Sequence, residues 1–394
     1  MQAVIFSAGK STRTYPMTLT KPKPLLKVLD KTIIEHTLNT LNNLIDEAVI
    51  IVGYKKEMIM KKIGTKYKNI KITYIIQKKQ NGNGAALFLA KDYLKKKFLV
   101  MNSDDLFSKK DIKKCLKHDY CVLAQEVKDL SRFGELKIKN NSLVEIIEKP
   151  GKKKGLANTG VFVFSKDVFD YKIKKSKRGE YEITDLVKLL SRDGKKIISE
   201  KIENYWIPIS YPWNVLDANE FLFAKIRAKK EGIIEKGVSI KGEVRIGKNT
   251  VIKSGTYIEG PAIIGDDCTI GPNSYIRKNT VVGNNSKIGN AVELKNTIVG
   301  DNSCVAHLTY FGDSIIGDNV NVGAGTISAN LRHDDKNISS PVKKEMIDTK
   351  RRKLGAIIGD NVHTGINTTI YPGRKIWPSK TTLPGEIVKK DILW

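Results

Sequence analysis

Apolar residues recur at every sixth position over a long stretch in the second half of the chain. Neither the 3.6-residue period of an α-helix nor the alternation of a strand produces this spacing. A hexad with a branched apolar residue, often followed by glycine, is typical of a parallel β-helix, in which three hexads form one triangular coil. The ten positions are Ile240, Ile246, Ile252, Ile258, Ile264, Ile270, Ile276, Val282, Ile288 and Leu294.

The first half of the chain shows a different pattern, in which short apolar runs alternate with amphipathic segments. Such alternation predicts a parallel sheet with right-handed helical crossovers, and ligands at the carboxyl ends of the strands. The predicted elements are strands Gln2–Ser7, Ala48–Val52, Ile70–Ile76 and Phe98–Met101 and helices Ile33–Leu41 and Lys55–Ile63.

Together the two patterns predict an α/β chain with a Rossmann-like domain at residues 1–230 and a left-handed parallel β-helix at residues 231–394. Val215–Lys230 is predicted as a helical linker that Gly232 ends. A length of 394 residues favours two domains.

Composition narrows the cellular setting. The sequence has no apolar run long enough for a membrane span and no secretory leader pattern, and its four cysteines form no CxxC pair. We therefore expect a cytoplasmic protein without a membrane partner, with buried thiols rather than zinc ligands or disulfides.

The net charge of +27 has three readings. It can reflect a nucleic-acid surface, attraction of phosphorylated small molecules, or a preference for lysine on solvated faces. The lysine runs lack interleaved aromatic residues, so we expect no nucleic-acid partner.

Two glycine-containing loops and one acidic strand end carry candidate phosphate chemistry. Strand Gln2–Ser7 leads into a loop of small residues that contains Arg13, and Lys23 follows the loop. Backbone N–H groups and cations in such a loop can bind a triphosphate. The alternative is an ordinary surface turn. Gln77–Leu87 is again strand, glycine loop and helix, with amides that can read a base. Asp104, after strand Phe98–Met101, can hold a hard cation or simply cap a helix.

The order of these motifs resembles that of the sugar-1-phosphate nucleotidylyltransferases. The matching elements are Gly9–Arg13, Lys23, Gln77 with Gly82, Asp104, Glu148-Lys149-Pro150 and Asn158-Thr159-Gly160. Joined to a hexapeptide β-helix, the chain resembles the archaeal enzymes akin to the bifunctional N-acetylglucosamine-1-phosphate uridylyltransferase/glucosamine-1-phosphate acetyltransferase.

The resemblance implies that a sugar phosphate attacks the α-phosphorus of UTP with Mg²⁺ present. It assigns Arg13 and Lys23 to catalysis and Asp104 to the metal. It also implies a nucleotide site and a sugar-phosphate site; the first comprises Ala8, Gly9, Arg13, Lys23, Gln77, Gly82 and Asn83, and the second Gly134, Glu148, Lys149 and Asn158.

Three positions depart from the family pattern. Ser11 and Ser103 stand where glycine is usual. Pro208 stands where an aspartate often supplies a second metal ligand, and neither Asn204 nor Asn214 fits the register as a substitute. The alternative hypothesis is therefore an acetyltransferase with a degenerate nucleotidyltransferase domain.

The β-helix carries its own candidate site. Arg277 and Lys295 lie 18 residues apart, each one residue past an inward apolar residue, so they should stack about one strand spacing (~4.8 Å) apart. Two stacked cations need an anion nearby, which a bound phosphate or Glu259 can supply.

The hexad pattern slips by one residue at Val299 and is interrupted by an excursion from Ala329 to Leu354. Loops ejected from a coil usually surround a ligand site. The excursion carries His333 and the basic run Lys350–Lys353, which can meet coenzyme A phosphates or solvent.

The segment from His307 to Asp313 resembles the acetyltransferase site of the bifunctional family. The resemblance implies that His307 is the general base for an amine attacking acetyl-CoA. It also implies a homotrimer built through the β-helix, and acetyl-CoA bound at Ala324 and Gly325. The amino-sugar phosphate, which is glucosamine- or galactosamine-1-phosphate, is expected to be bound by Arg277, Lys295, Tyr310, Asn321, Asn330 and Lys336.

Two further alternatives come from other classes. A β-helix carbonic anhydrase would need three zinc histidines, two of them close in sequence, whereas His307, His333 and His363 are widely spaced. A non-enzymatic nucleic-acid scaffold would rest on charge alone, and its binding would depend steeply on salt.

Overall fold

The computed structural model describes residues 1–151 and 153–393. It divides into two compact units that do not follow the chain in order. The first unit contains Met1–Lys10, Pro22–Leu25 and Thr32–Pro208. The second contains the chain from Ile209 onward together with two early segments, Ser11–Lys21 and Leu26–Lys31.

The first unit is built on a ten-stranded sheet whose centre is parallel. Strand Gln2–Ser7 lies between Lys97–Asn102 and Glu47–Val52, and Ile70–Ile76 follows on the far side. These strands are rich in branched apolar residues because helices cover both faces of the sheet. The other strands of the sheet are Lys66–Tyr67, Cys121–Val127, Gly134–Lys139, Ser142–Glu148, Gly155–Ser165 and Ile198–Lys201.

The first helix confirms the sequence prediction residue for residue, as do strands Gln2–Ser7 and Ile70–Ile76. It begins at Ile33 because Thr32 and Glu35 cap each other's backbone N–H groups. The α-helices are Ile33–Leu41, Lys56–Ile63, Asn83–Leu89, Lys109–Cys115, Thr184–Arg192 and Asn214–Phe223, and the 3₁₀ turns are Thr12–Thr14, Lys23–Leu25, Lys91–Tyr93 and Lys166–Asp170.

The second unit contains the left-handed parallel β-helix, whose short strands form three flat faces. The first face has Lys229–Lys230, Val244–Ile246, Ala262–Ile264, Thr280–Val282, Ile298–Val299, Ile315–Ile316, Ile357–Ile358 and Lys375–Ile376. The second has Ile233–Ile234, Val251–Ile252, Thr269–Ile270, Lys287–Asn290, Cys304–His307 and Asn321–Val322. The third has Ser239–Lys241, Tyr257–Glu259, Tyr275–Ile276, Glu293–Lys295, Tyr310–Gly312, Ile327–Ser328, Thr369–Ile370 and Ile387–Val388.

Short pairings complete the strand inventory. Lys27–Val28 pairs with Lys31–Thr32, and Asp105–Phe107 with Trp206–Pro208. The inward hexad residues, such as Ile270 and Ile288, are fully buried and form one continuous apolar column. The predicted slip is confirmed, because Val282 pairs with Val299 rather than with the residue one place further on.

Asparagine and aspartate occupy the left-handed corners of many coils. Asn285, Asn302, Asn319 and Asn361 have φ between 55° and 59°. A left-handed backbone costs most residues about 1–2 kcal/mol, and Asn and Asp visit it more readily because their short polar side chains bond locally. The Asn-rich spacing of the hexads therefore follows from the turn that each coil must make.

The predicted helical linker Val215–Lys230 is wrong in its second half. The helix ends at Phe223, and Lys229–Lys230 is a strand that pairs with Arg245 and Ile246. The reason is non-local: the edge of strand Val244–Ile246 offers hydrogen bonds that local helix propensity cannot outweigh.

The predicted excursion is confirmed. Ile316 pairs with Ile358, so the coil resumes where it stopped. Within the excursion, Ser339–Val342 and Glu345–Asp348 form an antiparallel hairpin. The hairpin is held to the coil through Ser340 Oγ, which donates to the Gly373 carbonyl at 2.8 Å.

Three of the four thiols are buried, as predicted. Cys115, Cys121 and Cys268 are buried, whereas Cys304 is only half-buried.

Among the described residues, none of the helices combines the length and the apolar character that crossing a bilayer requires.

Lys375 is a buried cation beneath the hairpin. Its side chain is 1% exposed, Nζ donates to the Pro341 carbonyl, and the ammonium lies 5.9 Å from the centre of the Trp213 ring. Burial lowers the pKa of Lys375 to about 8, although Asp391 opposes the shift. The folded protein therefore holds this proton less tightly than the unfolded chain does.

We expect the free energy of unfolding to contain a Lys375 contribution that increases as the pH rises from about 8 to the ordinary lysine value of 10.5. In this window the unfolded chain binds the proton and the folded protein does not, so rising pH favours folding, by up to roughly 3 kcal/mol. Chemical denaturation of the wild type and Lys375→Met across this range measures the difference. Two curves that stay parallel would contradict the assignment.

Candidate functional site

The first unit brings Lys23 and Asp104 together. Lys23 Nζ donates to Asp104 Oδ2 at 2.8 Å; the lysine side chain is 6% exposed and the carboxylate 39%. Asp104 follows strand Lys97–Asn102 at the carboxyl end of the parallel sheet, where ligands bind in such folds. A buried cation beside an accessible carboxylate can serve a phosphate and its counter-ion.

Ser103, the departure beside Asp104, is accommodated by hydrogen bonds. Its hydroxyl donates to the Phe6 carbonyl at 2.8 Å and accepts from Ser7 Oγ at 2.7 Å. Serine therefore replaces the usual glycine without leaving a buried polar atom unsatisfied. It also ties the base of Asp104 to strand Gln2–Ser7.

The proposed nucleotide residues of the first unit lie on two loops. The Ala8 carbonyl accepts from Gln80 Nε2 at 2.7 Å, and Gly9 has open space on its side-chain face. Gln77 is buried and its amide donates to the Gly82 carbonyl at 3.2 Å. Asn83 instead caps a neighbouring turn, since its Oδ1 accepts from Ile183 N at 2.9 Å.

Position 208 lies beside a second carboxylate. Pro208 pairs with Asp105, but Asp105 Oδ2 accepts from the Trp206 indole at 2.8 Å. The two asparagines that could substitute are also engaged: Asn204 Nδ2 donates to Asp111 at 2.9 Å, and Asn214 Oδ1 accepts from Tyr211 N at 2.9 Å.

The residues present fit a magnesium ion that is shared with a bound phosphate. Within residues 1–151 and 153–393, no three His, Cys, Asp or Glu side chains are grouped as a metal site. Mg²⁺ commonly uses one or two carboxylates, substrate phosphates and water, so Asp104 alone can anchor it.

The sugar-phosphate residues gather on the antiparallel edge of the sheet. Gly134 pairs with Glu148, and a side chain at position 134 would lie 3.2 Å from Glu148 Oε1. Glu148 is 33% exposed, and its partial burial raises the pKa of the carboxyl. Lys149 follows it, and Asn158 Oδ1 accepts from Gly160 N at 2.9 Å.

Sequence reasoning missed Arg178 at this edge. Its guanidinium forms a two-point ion pair with Glu182 and lies 3.9 Å from Glu148 Oε2. The i,i+4 spacing of Arg178 and Glu182 was the only local signal. Arg178 partly neutralises the acidic group formed by Glu148, Glu182 and Asp185.

Arg13 belongs to the second unit, within the segment Ser11–Lys21. The segment is closed on itself: the Ser11 carbonyl accepts from Thr14 Oγ1 at 2.7 Å and from Thr18 Oγ1 at 2.9 Å. Ser11 has a φ of 51°, a left-handed conformation in which glycine would be unstrained. This explains why the family prefers glycine here.

In the β-helix, His307 ends a strand of the second face and is exposed. Its carbonyl accepts from Gly325 N at 3.3 Å, so the turn containing Ala324 and Gly325 lies one coil away from it. Asn321 pairs with Cys304 in the same face. The structure thus places Asn321, Ala324 and Gly325 on the coil adjacent to the histidine.

Tyr310 and Asn330 converge on Gly312. A side chain at position 312 would overlap Tyr310 Oη and lie 2.5 Å from Asn330 Nδ2. Asn330 Nδ2 also donates to Asp313 Oδ2 at 2.6 Å. Burial, Glu293 and Asp313 raise the pKa of Tyr310, so its hydroxyl remains protonated.

Arg277 and Lys295 stack as predicted, since Ile276 pairs with Leu294 on the same face. The anion beside Arg277 is Glu293, at 2.8 Å, and not Glu259, which accepts from Tyr275 Oη instead. Burial lowers the pKa of Lys295, and Lys353 and Arg277 add to this while Asp313 opposes it. Three cations in one place leave an excess of positive charge that a phosphate can balance.

Arg351 does not remain available for coenzyme A phosphates. Its side chain is 12% exposed and is ion-paired with Asp217 and with Glu220, the latter at 2.6 Å. It also lies 3.7 Å from Asp313. The arginine thus links the end of the excursion to the carboxylate that holds Asn330.

One predicted residue, Lys336, is not joined to this group. Lys336 lies in an exposed turn whose N–H donates to Asp334. A cavity of about 620 Å³ lies between the excursion and the coil, and Lys336 is not part of its wall. The cavity is lined by Ala329, Leu331, Arg332, His333, Asp334, Ile338, Ser339, Tyr371, Pro372, Arg374 and Lys389.

Comparisons with known proteins cover both halves of the chain. The nucleotidyl transferase family model matches residues 2–224, and a model described as the GMPPB C-terminal domain matches residues 258–392. The chain also resembles a solved structure, a putative glucose-1-phosphate thymidylyltransferase from Bacillus anthracis. That match has a TM-score of 0.51 and 29% identity, and it covers 56% of this chain and 94% of the other.

Two relatives that match almost the whole chain are archaeal. The bifunctional protein GlmU of Methanocaldococcus jannaschii is 41% identical over 95% of this chain and 92% of its own length. The bifunctional sugar-1-phosphate nucleotidylyltransferase/acetyltransferase of Sulfurisphaera tokodaii is 39% identical over 100% of this chain and 98% of its own. The chain belongs to the nucleotidyl transferase family and, over its full length, to its bifunctional sugar-1-phosphate nucleotidylyltransferase/acetyltransferase branch.

Proposed function

We propose that the chain acetylates an amino-sugar 1-phosphate with acetyl-CoA and transfers a uridylyl group from UTP to the N-acetylated product. The observation that carries this proposal is that a relative named for both activities, the sugar-1-phosphate nucleotidylyltransferase/acetyltransferase of Sulfurisphaera tokodaii, aligns with 100% of the chain. The amino sugar is glucosamine-1-phosphate or galactosamine-1-phosphate. We further propose a homotrimer assembled through the flat faces of the β-helix.

Uridylyl transfer needs positioning and charge neutralisation rather than a covalent intermediate. A phosphate oxygen of the sugar phosphate attacks the α-phosphorus of UTP, and pyrophosphate leaves. Lys23 and Arg13 balance charge on the triphosphate, while Gln77 and Gly82 contact the base. Asp104 would hold Mg²⁺, which supplies further charge neutralisation when bound.

At the sugar end, Glu148 accepts hydrogen bonds from sugar hydroxyls, and Lys149 and Asn158 contact the sugar phosphate. Gly134 leaves room for the Glu148 carboxylate. Arg178 keeps the neighbouring carboxylates from repelling the substrate phosphate. Because Pro208 offers no side-chain ligand, Asp104 would hold the ion with substrate phosphate oxygens and water.

Acetyl transfer uses the β-helix. The substrate amine attacks the acetyl-CoA thioester, His307 accepts the amine proton, and the coenzyme A thiolate leaves and is protonated. The backbone N–H of Ala324 stabilises the tetrahedral oxyanion, because the neighbouring Gly325 N–H is already donated to the His307 carbonyl. Arg277, Lys295 and Tyr310 hold the sugar phosphate with Asn321 and Asn330.

The two activities should separate by mutation. We expect Asp104→Ala to lower uridylyl transfer by about a hundredfold or more because the metal loses its protein ligand, and to leave acetyl transfer unchanged. His307→Gln should do the reverse, since a general base contributes about 10²–10⁴-fold. Pyrophosphate release and coenzyme A release, measured on the same preparations with both amino sugars, give the two rates.

An enzyme with acetyl transfer alone is the competing function. It predicts that the wild type releases coenzyme A and never releases pyrophosphate with any nucleotide. Loss of both activities in either single variant would instead indicate unfolding, and circular dichroism spectra distinguish that case.

Gly312→Ala tests the convergence of Tyr310 and Asn330. The added methyl group must displace the ends of both side chains, so the fold should survive while the phosphate contacts move. We expect at least about a tenfold loss in kcat/KM for the amino-sugar phosphate, with uridylyl transfer and thermal stability nearly unchanged. Unaltered acetyl-transfer kinetics would remove these two residues from the site.

The raised pKa of Glu148 predicts a pH effect on sugar binding. The ionised carboxylate is the stronger hydrogen-bond acceptor, and partial burial moves its protonation to higher pH than an ordinary glutamate. The KM for the N-acetylated sugar phosphate should therefore rise as the pH falls from 7 towards 5. The substrate phosphate also titrates in this range, with a second pKa of about 6, and its effect is common to all variants. Glu148→Gln should have a higher KM that rises less steeply with falling pH than that of the wild type, whereas Glu126→Gln, at an exposed strand position, should behave as the wild type does.

A further inference from the structure

A ladder of acidic side chains runs up one corner of the β-helix. Asp301 N donates to Asp318 Oδ1 at 2.9 Å, and Asp318 N donates to Asp360 Oδ1 at 2.8 Å. The same contact is made one step earlier by a neutral residue, since Asp266 N donates to Asn284 Oδ1 at 2.9 Å. Each ladder carboxylate therefore uses one oxygen for the coil and leaves the other for a different partner.

The second oxygens are bound by two lysines from the N-terminal part of the chain. Lys27 Nζ contacts both oxygens of Asp301, at 2.7 and 2.6 Å. Lys21 Nζ donates to Asp318 Oδ2 and lies 3.0 Å from Asp360 Oδ2. Stacked carboxylates repel each other unless cations separate them, so the ladder and the lysines need one another.

The Lys21 cluster is largely shielded from solvent. Lys21 is 17% exposed and the Asp360 side chain 9%. Burial lowers the pKa of Lys21, but Asp318 and Asp360 more than offset this, so the pKa lies above its usual value and the lysine stays charged. Thr20 Oγ1 adds a 2.5 Å hydrogen bond to Asp360 Oδ2. Screening by salt is correspondingly weak at such a site.

Thr20 and Lys21 end the segment Ser11–Lys21, which is stiffened by the bonds from Thr14 and Thr18 to the Ser11 carbonyl. The segment belongs to the same compact unit as the β-helix. Arg13, the proposed triphosphate contact, lies inside it. Fixing Lys21 therefore restricts the backbone that carries Arg13.

We propose that Asp318 and Asp360 of the β-helix are positioning residues for uridylyl transfer, because through Lys21 they hold the segment that presents Arg13 to the triphosphate. The inference rests on the proposed role of Arg13. The two aspartates bind lysine and backbone rather than substrate, so acetyl transfer, which uses other corners of the coil, does not depend on them.

The test uses Asp318→Asn in the full-length protein. The amide keeps the oxygen that accepts from Asp301 N, as Asn284 does naturally, and places an NH₂ group against Lys21. Asp266→Asn is the matched control, because Asp266 makes the same ladder contact with Lys248 N and is exposed. Lys21→Met and Lys21→Arg examine the other side of the contact.

We expect Asp318→Asn and Lys21→Met to lower kcat/KM for UTP by about tenfold, mainly through KM, and to change acetyl transfer by less than about twofold. Lys21→Arg should retain most of the wild-type kcat/KM for UTP because arginine keeps the positive charge. Hydrogen–deuterium exchange of peptides spanning residues 11–21 should accelerate in the two impaired variants and not in Asp266→Asn.

The inference is overturned by unchanged exchange and UTP kinetics in Asp318→Asn, by an equal loss of both activities, or by an equal effect of Asp266→Asn. Failure of the proposed function is recognised separately. A wild type without uridylyl transfer, or an Arg13→Ala variant with unaltered UTP kinetics, would overturn the role of Arg13 and with it the positioning role. Faster exchange without a kinetic change would reduce the contact to a structural anchor and also overturn it.

Discussion

The stacking of one coil upon the next is the constraint on which the β-helix and its chemistry depend. Inward branched residues such as Ile270 and Ile288 form a dry column, and backbone hydrogen bonds between coils fix each residue above its counterpart. Residues about one coil apart in sequence therefore lie one above the other along the axis of the β-helix. Each residue contacts its counterpart in the next coil. For this reason Arg277 lies beside Lys295, and Asp301 beside Asp318.

Much of the fold could be predicted from the sequence because the signals for it are periodic or local. The hexads, the helix at Ile33–Leu41 and the stacked cations were all predictable. The partner of Arg277 was not, because Glu259 and Glu293 flank it at neighbouring levels and rotamer packing decides between them. Lys21 and Asp318 are 297 positions apart, and each alone resembles an ordinary surface residue. The prediction of a helix up to Lys230 was wrong because Lys229–Lys230 pairs with Arg245 and Ile246, which is a non-local contact.

The departures from the family pattern show how a chain absorbs change at a loop. Ser103 gains two hydrogen bonds in place of glycine, whereas Ser11 accepts a left-handed backbone and is held by threonine hydroxyls on its carbonyl. Pro208 stands beside Asp105, whose carboxylate is bound to an indole. Small polar side chains are therefore accommodated by the local hydrogen-bond network, whereas Pro208 offers no side-chain ligand atom of its own.

The excursion between Ser328 and Ile357 carries a consequence for the order of folding. Asn330 and Arg351 meet Asp313 only after the chain has left the coil and returned to pair Ile316 with Ile358. Closing a flexible loop costs entropy that grows only with the logarithm of its length, so the detour is thermodynamically cheap. It is nonetheless a non-local closure, and such contacts form late. During synthesis or refolding the apolar column can form first, and the contacts of Asn330 and Arg351 with Asp313 form among the last.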